Sequence, residues 1–545
     1  AGEPAPASAR AAPAARPNGA VALAEAPAAA AADAREPKAQ FKWSKAWYPV
    51  SPVSWLERGR PNEFRVLNRP LVAWYTGKQW AVAEDLCPHR AAPLSLGYVT
   101  DAGALACRYH GWEFESSGAC SRVPWATDGE QEGRICSAPA SRLRLVPCEV
   151  FDGLLWVWPD ESETAEAECG LTPPAAMAHA ALPGEWGMVE LPVGYVPALE
   201  NQFDPAHAEF LHAKFNDSDS AIGATNPTQF VPMTSFRVRP GSMSEKGFVV
   251  EHGGYNTSNE DVLGERTFIA PTSSRTEYST KDGEPYLSAH VLYTPTEPNR
   301  VKMFTKFAPY QAGIEAGRGA KAARTAATAR DNEPGAPPLE RLQAWARNTH
   351  RSLLTQYLAQ LVGNEDVRMG LQHGFSTAAY TLGDQDIAAM HGVEYSLSAA
   401  GRRWNEGGYF LPTQADAGVG AFRRWMESRA GGAVDWLRAG DCADGIAPLL
   451  PEGERYERFH RHTKHCKYCR AALAALGDAE SACRTAAAPS LALGAALSVL
   501  GLERLGALAL ALGGALILEA EALADEAHEF KSGAPRRGYP LQRLW

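Results

Sequence analysis

The chain has 545 residues, with 53 Lys+Arg against 63 Asp+Glu and a net charge of -10. That length allows a sizeable core and about two to four domains. The acidic balance argues against nucleic acid as the main partner, because phosphate binding needs a basic surface. Its 49 Gly and 39 Pro are too few for a chain disordered throughout, and ten Cys are too few for a disulfide scaffold. The Cys that stand out lie in short clusters with His, which points to metal.

Residues 1–40 contain 19 Ala and no aromatic side chain. Such a segment buries too little apolar surface to offset chain entropy. It reads as a disordered arm derived from a transit peptide, since the sequence starts at Ala1 rather than Met. Order is expected from Phe41-Lys42-Trp43 onward. Runs at Val66 to Tyr75, Trp80 to Ala83, Leu143 to Val146 and Leu154 to Trp158 are rich in β-branched and aromatic residues, with Gly, Pro and Asp between them. They predict an all-β module over 41–165.

Within that module stand Cys87-Pro88-His89 and, after 17 intervening residues, Cys107-Arg108-Tyr109-His110. Zinc takes two Cys and two His in some proteins. Here, however, each half contributes one Cys and one His, the pattern of a Rieske [2Fe–2S] centre. In such a centre both thiolates hold one iron and both imidazoles the other, which raises the reduction potential. Gly97, and Gly111-Trp112 after the second motif, are expected to allow close backbone approach and to wall the cluster from water. A Rieske cluster only relays electrons, so the rest of the chain should hold an acceptor.

An acidic linker, Asp160 to Ala181, leads into residues 166–450. This part mixes strands (Phe248 to Val250, Ser288 to Thr294, Val301 to Phe307) with helical stretches (Leu199 to His212, Leu339 to Leu361), an α+β pattern. A polar insert at 313–338 reads as a surface loop. The acceptor is expected in Asp204-Pro205-Ala206-His207-Ala208-Glu209-Phe210-Leu211-His212. Two His five apart diverge by about 140° on a regular helix, so a break or a π-bulge must bring them together. Two His and one carboxylate leave open positions on a non-haem Fe(II). Asp366 is the first choice for the carboxylate, Glu365 the second, with Asp384 and Asp386 as outside alternatives. Asp204 reads either as a helix cap before Pro205 or as a bridge from a cluster-ligating His to His207.

Residues 451–484 carry Cys466-Lys467-Tyr468-Cys469. The pair fits a redox-active dithiol activated by Lys464, Lys467 and His465, or a zinc site with His462 and His465, or an unmodified reduced pair. Thr485 to Leu502 then runs 18 residues without a charge, and Leu505 to Leu518 another 14 after Glu503-Arg504. Basic residues flank the pair, as for an apolar helical hairpin over 485–520 entering a membrane from one face.

With these residues the chain resembles the Rieske non-haem iron oxygenases, and more narrowly the chloroplast branch of pheophorbide a and chlorophyllide a oxygenases. The matching pieces are Trp47 to Val53, Cys87 to Arg90 through Ser95, Tyr109 to Trp112, Gly153 to Pro159, Asp204 to His212, Ala421 to Trp425 and His465 to Cys469. The resemblance implies a helix-grip-like α+β catalytic domain and a homotrimer in which each cluster serves its neighbour's iron. It implies that Cys87, His89, Cys107 and His110 hold the cluster, that His207, His212 and Asp366 hold the iron, and that Asp204 bridges. It implies reduced ferredoxin as electron donor and O2 as co-substrate. The expected substrate is a chlorophyll-derived tetrapyrrole, with ring opening of pheophorbide a ahead of ring-methyl oxidation of chlorophyllide a or hydroxylation of a related catabolite. It also implies a thylakoid or inner-envelope location facing the stroma, and favours a thiol switch at Cys466 and Cys469 addressed by thioredoxin. The rival of another class is a Rieske electron-transfer or redox-sensing protein without oxygenase activity.

Overall fold

A computed structural model describes residues 41–178, 181–212, 235–253, 262–310, 349–375, 377–402, 408–438 and 450–533. The N-terminal arm and the polar insert at 313–338 lie outside the described residues. The fold is α+β.

The N-terminal part is built from three small antiparallel sheets. β2 (Asn62–Val66), β3 (Arg69–Tyr75) and β4 (Trp80–Glu84) form one; β1 (Tyr48–Pro52) pairs with β10 (Leu154–Val157), which pairs with β9 (Cys148–Phe151). The third holds β5 (Tyr98–Val99), β6 (Leu105–Ala106), β7 (Glu113–Phe114) and β8 (Cys120–Arg122). The apolar run from Val66 to Tyr75 is a turn followed by a strand. Leu67 and Asn68 take φ of 51° and 62°, which makes a two-residue hairpin turn of the kind that matches strand twist. The N–H groups of Leu67 and Asn68 donate to the carbonyls of Pro295 and Thr296, so tertiary hydrogen bonds hold a conformation that leucine disfavours alone. The acidic linker is partly helical, with α2 at Ala165–Leu171 following α1 at Gly129–Ser137.

The central layer is a seven-stranded antiparallel sheet. Its strands are β11 (Gly187–Leu191), β12 (Arg237–Val238), β13 (Gly247–Gly253), β14 (Val262–Ile269), β15 (Ser273–Thr280), β16 (Pro285–Glu297) and β17 (Arg300–Pro309), in the order β11-β17-β16-β15-β14-β13-β12. β16 is covered on both faces, which its alternation shows. Val291 and Tyr293 join one core with α3 (Tyr195–Phe203), α7 (Thr377–Ala399) and α8 (Ala417–Arg429). Leu292, between them, joins a second core with Trp47, Trp156, Trp158 and the C-terminal helices. The buried hydroxyl of Thr294 donates to the Pro49 carbonyl at 2.6 Å, which ties the sheet to β1.

The helical stretch around Leu199 to His212 is interrupted. α3 ends at Phe203, Asp204-Pro205-Ala206 breaks it, and α4 covers only His207–Leu211. After α5 (Ala359–Val362) and α6 (Glu365–Phe375) comes α7; α9 (Glu452–Arg455) and a π-turn at Phe459–Thr463 lead to the hairpin. The hairpin is longer than the apolar runs: α10 spans Lys467–Val499 and α11 spans Glu503–Ser532. Its base is buried through Ala472, Leu476, Leu523, Ala527 and Phe530, whereas Leu493, Val499, Leu500, Leu505, Leu508, Leu512 and Leu518 are exposed.

Candidate metal centres

The first centre is made by two loops of matching geometry. In one, Cys87 N–H donates to the Ala92 carbonyl and Ala91 N–H returns to the Cys87 carbonyl, both at 2.9 Å. In the other, Cys107 N–H donates to Trp112 at 2.8 Å and Gly111 N–H returns to Cys107 at 2.9 Å. The return needs a left-handed residue, which is Ala91 (φ 57°) in one loop and Gly111 (φ 74°) in the other. Asp85 fastens the first loop by accepting from the Ser95 N–H at 2.7 Å and hydroxyl at 2.6 Å. Gly97 packs so closely on the Ala106 carbonyl that no Cβ fits there.

Both thiols are buried, at 2% exposure each, and both imidazoles sit toward the surface. The His89 and His110 rings lie 4.7 Å apart, and Trp112 stacks on His89 at 4.8 Å and 7°. Burial pushes the Cys87 thiol up to about 11, with Cys107 beside it adding to the rise. Two thiolates in such a place require a cation, and two thiols with two imidazoles are the donor set of a Rieske [2Fe–2S] cluster. The residues present fit the group.

The second centre lies where α4 meets α7. His212 falls just past the end of α4, at φ -103° and ψ 14°, so it leaves the helical path and its ring comes within 5.4 Å of the His207 ring. The convergence needs a helix end, not a π-bulge. His207 Nδ1–H donates to the Asp204 backbone carbonyl, and His212 Nδ1–H donates to Gln385 Oε1 at 2.8 Å. With both Nδ1 atoms engaged, both Nε2 atoms face one carboxylate oxygen. That oxygen is Asp386 Oδ1, 3.4 Å from His207 and 3.2 Å from His212. Burial pushes the Asp386 carboxyl up, but hydrogen bonds from His207 and His212 outweigh it and hold the group at about 2. The facing imidazole nitrogens and this ionised carboxylate fit a two-His, one-carboxylate iron site.

This corrects the choice of carboxylate. Asp366 lies in the first turn of α6, its N–H bonded to Asn364 Oδ1 at 2.9 Å and its carboxylate 3.5 Å from Lys467 Nζ. Glu365 accepts from Arg368 at 2.8 Å, and Asp384 is clamped by Arg461 at 2.8 Å. α6 packs on α10 through Gly370, which sits against the Tyr468 backbone, and its acids pair with Lys467 and Arg368 rather than with the His pair. Asp386, the outside alternative, is in place because α7 crosses α3. Asp384, Gln385 and Asp386 therefore divide three tasks: holding Arg461, orienting His212 and facing both imidazoles.

Asn201 went unassigned in the sequence. Its Nδ2–H donates to Asp386 Oδ1 at 3.2 Å and lies 3.4 Å from His207 Nε2. The only signal for it was its place one turn before Asp204-Pro205-Ala206-His207. Asp204 accepts the Ala206 N–H at 3.0 Å, a cap-like contact, and its other carboxylate oxygen lies 4.0 Å from His207 Nδ1. Two large clefts, of about 1000 and 580 Å³, are lined by other residues and touch neither imidazole.

A family model described as the Rieske [2Fe-2S] domain matches residues 46–137. Pheophorbide a oxygenase of rice is 40% identical over 32% of this chain and 34% of its own length. The protochlorophyllide-dependent translocon component 52 of Arabidopsis thaliana is 26% identical over 73% of this chain and 67% of its own. The chain therefore contains a Rieske [2Fe-2S] domain and is similar to chloroplast proteins of the Rieske oxygenase kind. Flavonoid 8-hydroxylase 2 of Ocimum basilicum is 26% identical over 76% of this chain and 69% of its own length. The chain spans about a third of the length of the rice relative. The Rieske [2Fe-2S] domain is the part with a family match, and these relatives are chloroplastic.

The chain brings its C-terminal Cys pair together differently from expectation. Cys466 and Cys469 are buried at 0% and 1% exposure and lie with His462, within 4.8 Å of one another. His465 turns away, its Nε2 on the His460 carbonyl at 3.1 Å.

Proposed function

We propose that the chain is an oxygenase that oxidises a chlorophyll-derived tetrapyrrole drawn from a membrane, using O2 and electrons from reduced ferredoxin, with pheophorbide a the favoured substrate. The observation that carries the reading is the convergence of His207, His212 and Asp386 on one point. A protein that only relays electrons has no use for such a site. Among the chain's own groups, Cys87 and Cys107 hold the cluster from its buried side, and His89 and His110 from the exposed side. His207, His212 and Asp386 hold the iron. When bound, the cluster supplies single electrons and the ferrous ion supplies open positions for O2 and substrate. The Asp204 carbonyl and Gln385 keep both Nε2 atoms aimed inward, and Asn201 steadies Asp386. The Asp204 carboxylate, beside His207 and partly exposed, bridges to the cluster-bearing loop of a neighbouring copy in a homotrimer.

The hairpin supports a membrane-borne substrate. From Arg484, which pairs with Glu521 at 2.8 Å, to its end at Val499, α10 rises ~22 Å at 1.5 Å per residue. That is most of the hydrocarbon thickness of a bilayer, ~30 Å. Exposed leucines cover it, and the Lys and Arg residues around its base face the stroma in this reading. The relatives that reach into the catalytic part carry names pointing to protochlorophyllide and to a flavonoid. The test is therefore a panel: pheophorbide a, chlorophyllide a, protochlorophyllide and a flavone, each incubated anaerobically with enzyme and reduced ferredoxin, then given O2. A pheophorbide a product heavier by oxygen supports the proposal. An oxygenated flavone alone, or no product, overturns the substrate; about two rather than three iron atoms per chain would overturn the oxygenase.

A further inference from the structure

The structure assigns a third metal site, for a thiophilic d10 cation of the Zn2+ kind, to His462, Cys466 and Cys469. The three are brought together by one local device. The π-turn at Phe459–Thr463 is separated by three residues from α10, whose N-cap is Cys466, and Cys469 follows in its first turn. Cys466 N–H donates to the His462 carbonyl at 3.0 Å, which closes the turn and places the imidazole over both thiols.

Four observations point to a cation there. His462 Nδ1–H donates to the Met188 carbonyl at 2.8 Å, which puts the lone pair on Nε2, the nitrogen facing the thiols. Nε2 lies 3.4 Å from Cys469 Sγ. Tetrahedral zinc with Zn–S of about 2.3 Å and Zn–N of about 2.0 Å sets such an edge at roughly 3.5 Å. The ligand atoms of all three residues fall within 4.8 Å of one another. Both thiols are shielded from solvent, at 0% and 1% exposure, as for ligands of a closed site. Two thiolates and one neutral imidazole balance a divalent cation, and softness favours zinc over iron or magnesium. Among the described residues no fourth His, Cys or carboxylate joins the group, so the fourth position takes a water.

The site sits where three parts of the molecule meet. Met188 belongs to β11, and the Trp55 ring, from the N-terminal sheets, lies 5.6 Å from the His462 ring. Thr463 Oγ1 donates to the Phe530 carbonyl of α11 at 2.7 Å. A cation here would rivet the base of the hairpin to the catalytic sheet.

The experiment uses the full chain in detergent, purified anaerobically with a phosphine reductant, given one equivalent of Zn2+ and desalted. Elemental analysis is expected to find one zinc per chain beside the iron. His462→Gln and the double variant Cys466→Ser, Cys469→Ser are expected to retain at least tenfold less zinc with iron unchanged. Should the variants fold poorly, the wild-type chain decides alone. Zinc should protect Cys466 and Cys469 from alkylation, read by peptide mass, and a chelator should remove that protection. No zinc retained by the wild type, equal zinc in the variants, or a Cys466–Cys469 disulfide in the zinc-treated protein would overturn the assignment.

Discussion

Asp386 shows how little a carboxylate's neighbours in sequence say about its role. Asp384, two residues away, is committed to Arg461, while Asp366 is tied up by Lys467 at a helix start. The expected outcome is that Asp386→Ala loses the mononuclear iron, about one of three iron atoms per chain, and all turnover. Asp366→Ala is expected to keep both; iron assay and product formation read the difference. Glu394 offers a test by pH. Burial pushes its carboxyl up to about 7, and the Gly194 N–H, donating at 3.3 Å, offsets this only in part. In the unfolded chain the group titrates near 4.5. The folded state therefore holds its proton through the window from about 4.5 to 7, and stability falls as pH rises through it. The cost above that window is on the order of 3 kcal/mol. Glu394→Gln should flatten this slope and raise the melting temperature at pH 8 but not at pH 4, in thermal melts across the range.

At the scale of elements, helix ends and glycines place the groups. α4 stops at Leu211, and only that stop lets His212 turn toward His207. A continuous helix would have separated the two rings. In the hairpin, Gly494 and Gly513 let α10 and α11 touch: a Cβ on Gly513 would stand 2.6 Å from Leu491 Cγ, and one on Gly494 2.7 Å from Leu510 Cγ. Gly514, one residue on, faces open space. Gly513→Leu is therefore expected to destabilise the hairpin by about 1–3 kcal/mol, while Gly514→Leu leaves it unchanged. Proteolysis of the hairpin in detergent separates the two.

At the scale of the whole molecule, the hairpin is two things in series. Its lower half is part of the core, with Ala520, Leu523 and Phe530 buried; its upper half is exposed and apolar. Ending the chain near Ala479 would strip core as well as tip. Replacing residues 486–518 by a short Gly/Ser turn removes only the tip. That variant is expected to leave the membrane pellet on carbonate washing and to keep its iron, whereas the full chain stays in the pellet. Release of the full chain would show that the tip packs on protein rather than lipid.

The sequence by itself determined the donors that lie close together in the chain. Cys87, His89, Cys107 and His110 sit on two tight loops whose spacing is their geometry, and His207 and His212 share one short segment. The β-rich start, the sheet strands at Phe248, Ser288 and Val301, and the apolar hairpin were legible too, because strand alternation and charge-free runs are local patterns. Only the tertiary structure decided the third carboxylate, the role of Asn201, and which imidazole faces the C-terminal thiols. Those depend on where α7 crosses α3 and where β11 meets the π-turn. Contacts between segments well apart in the chain are set by packing, on which local spacing has no hold.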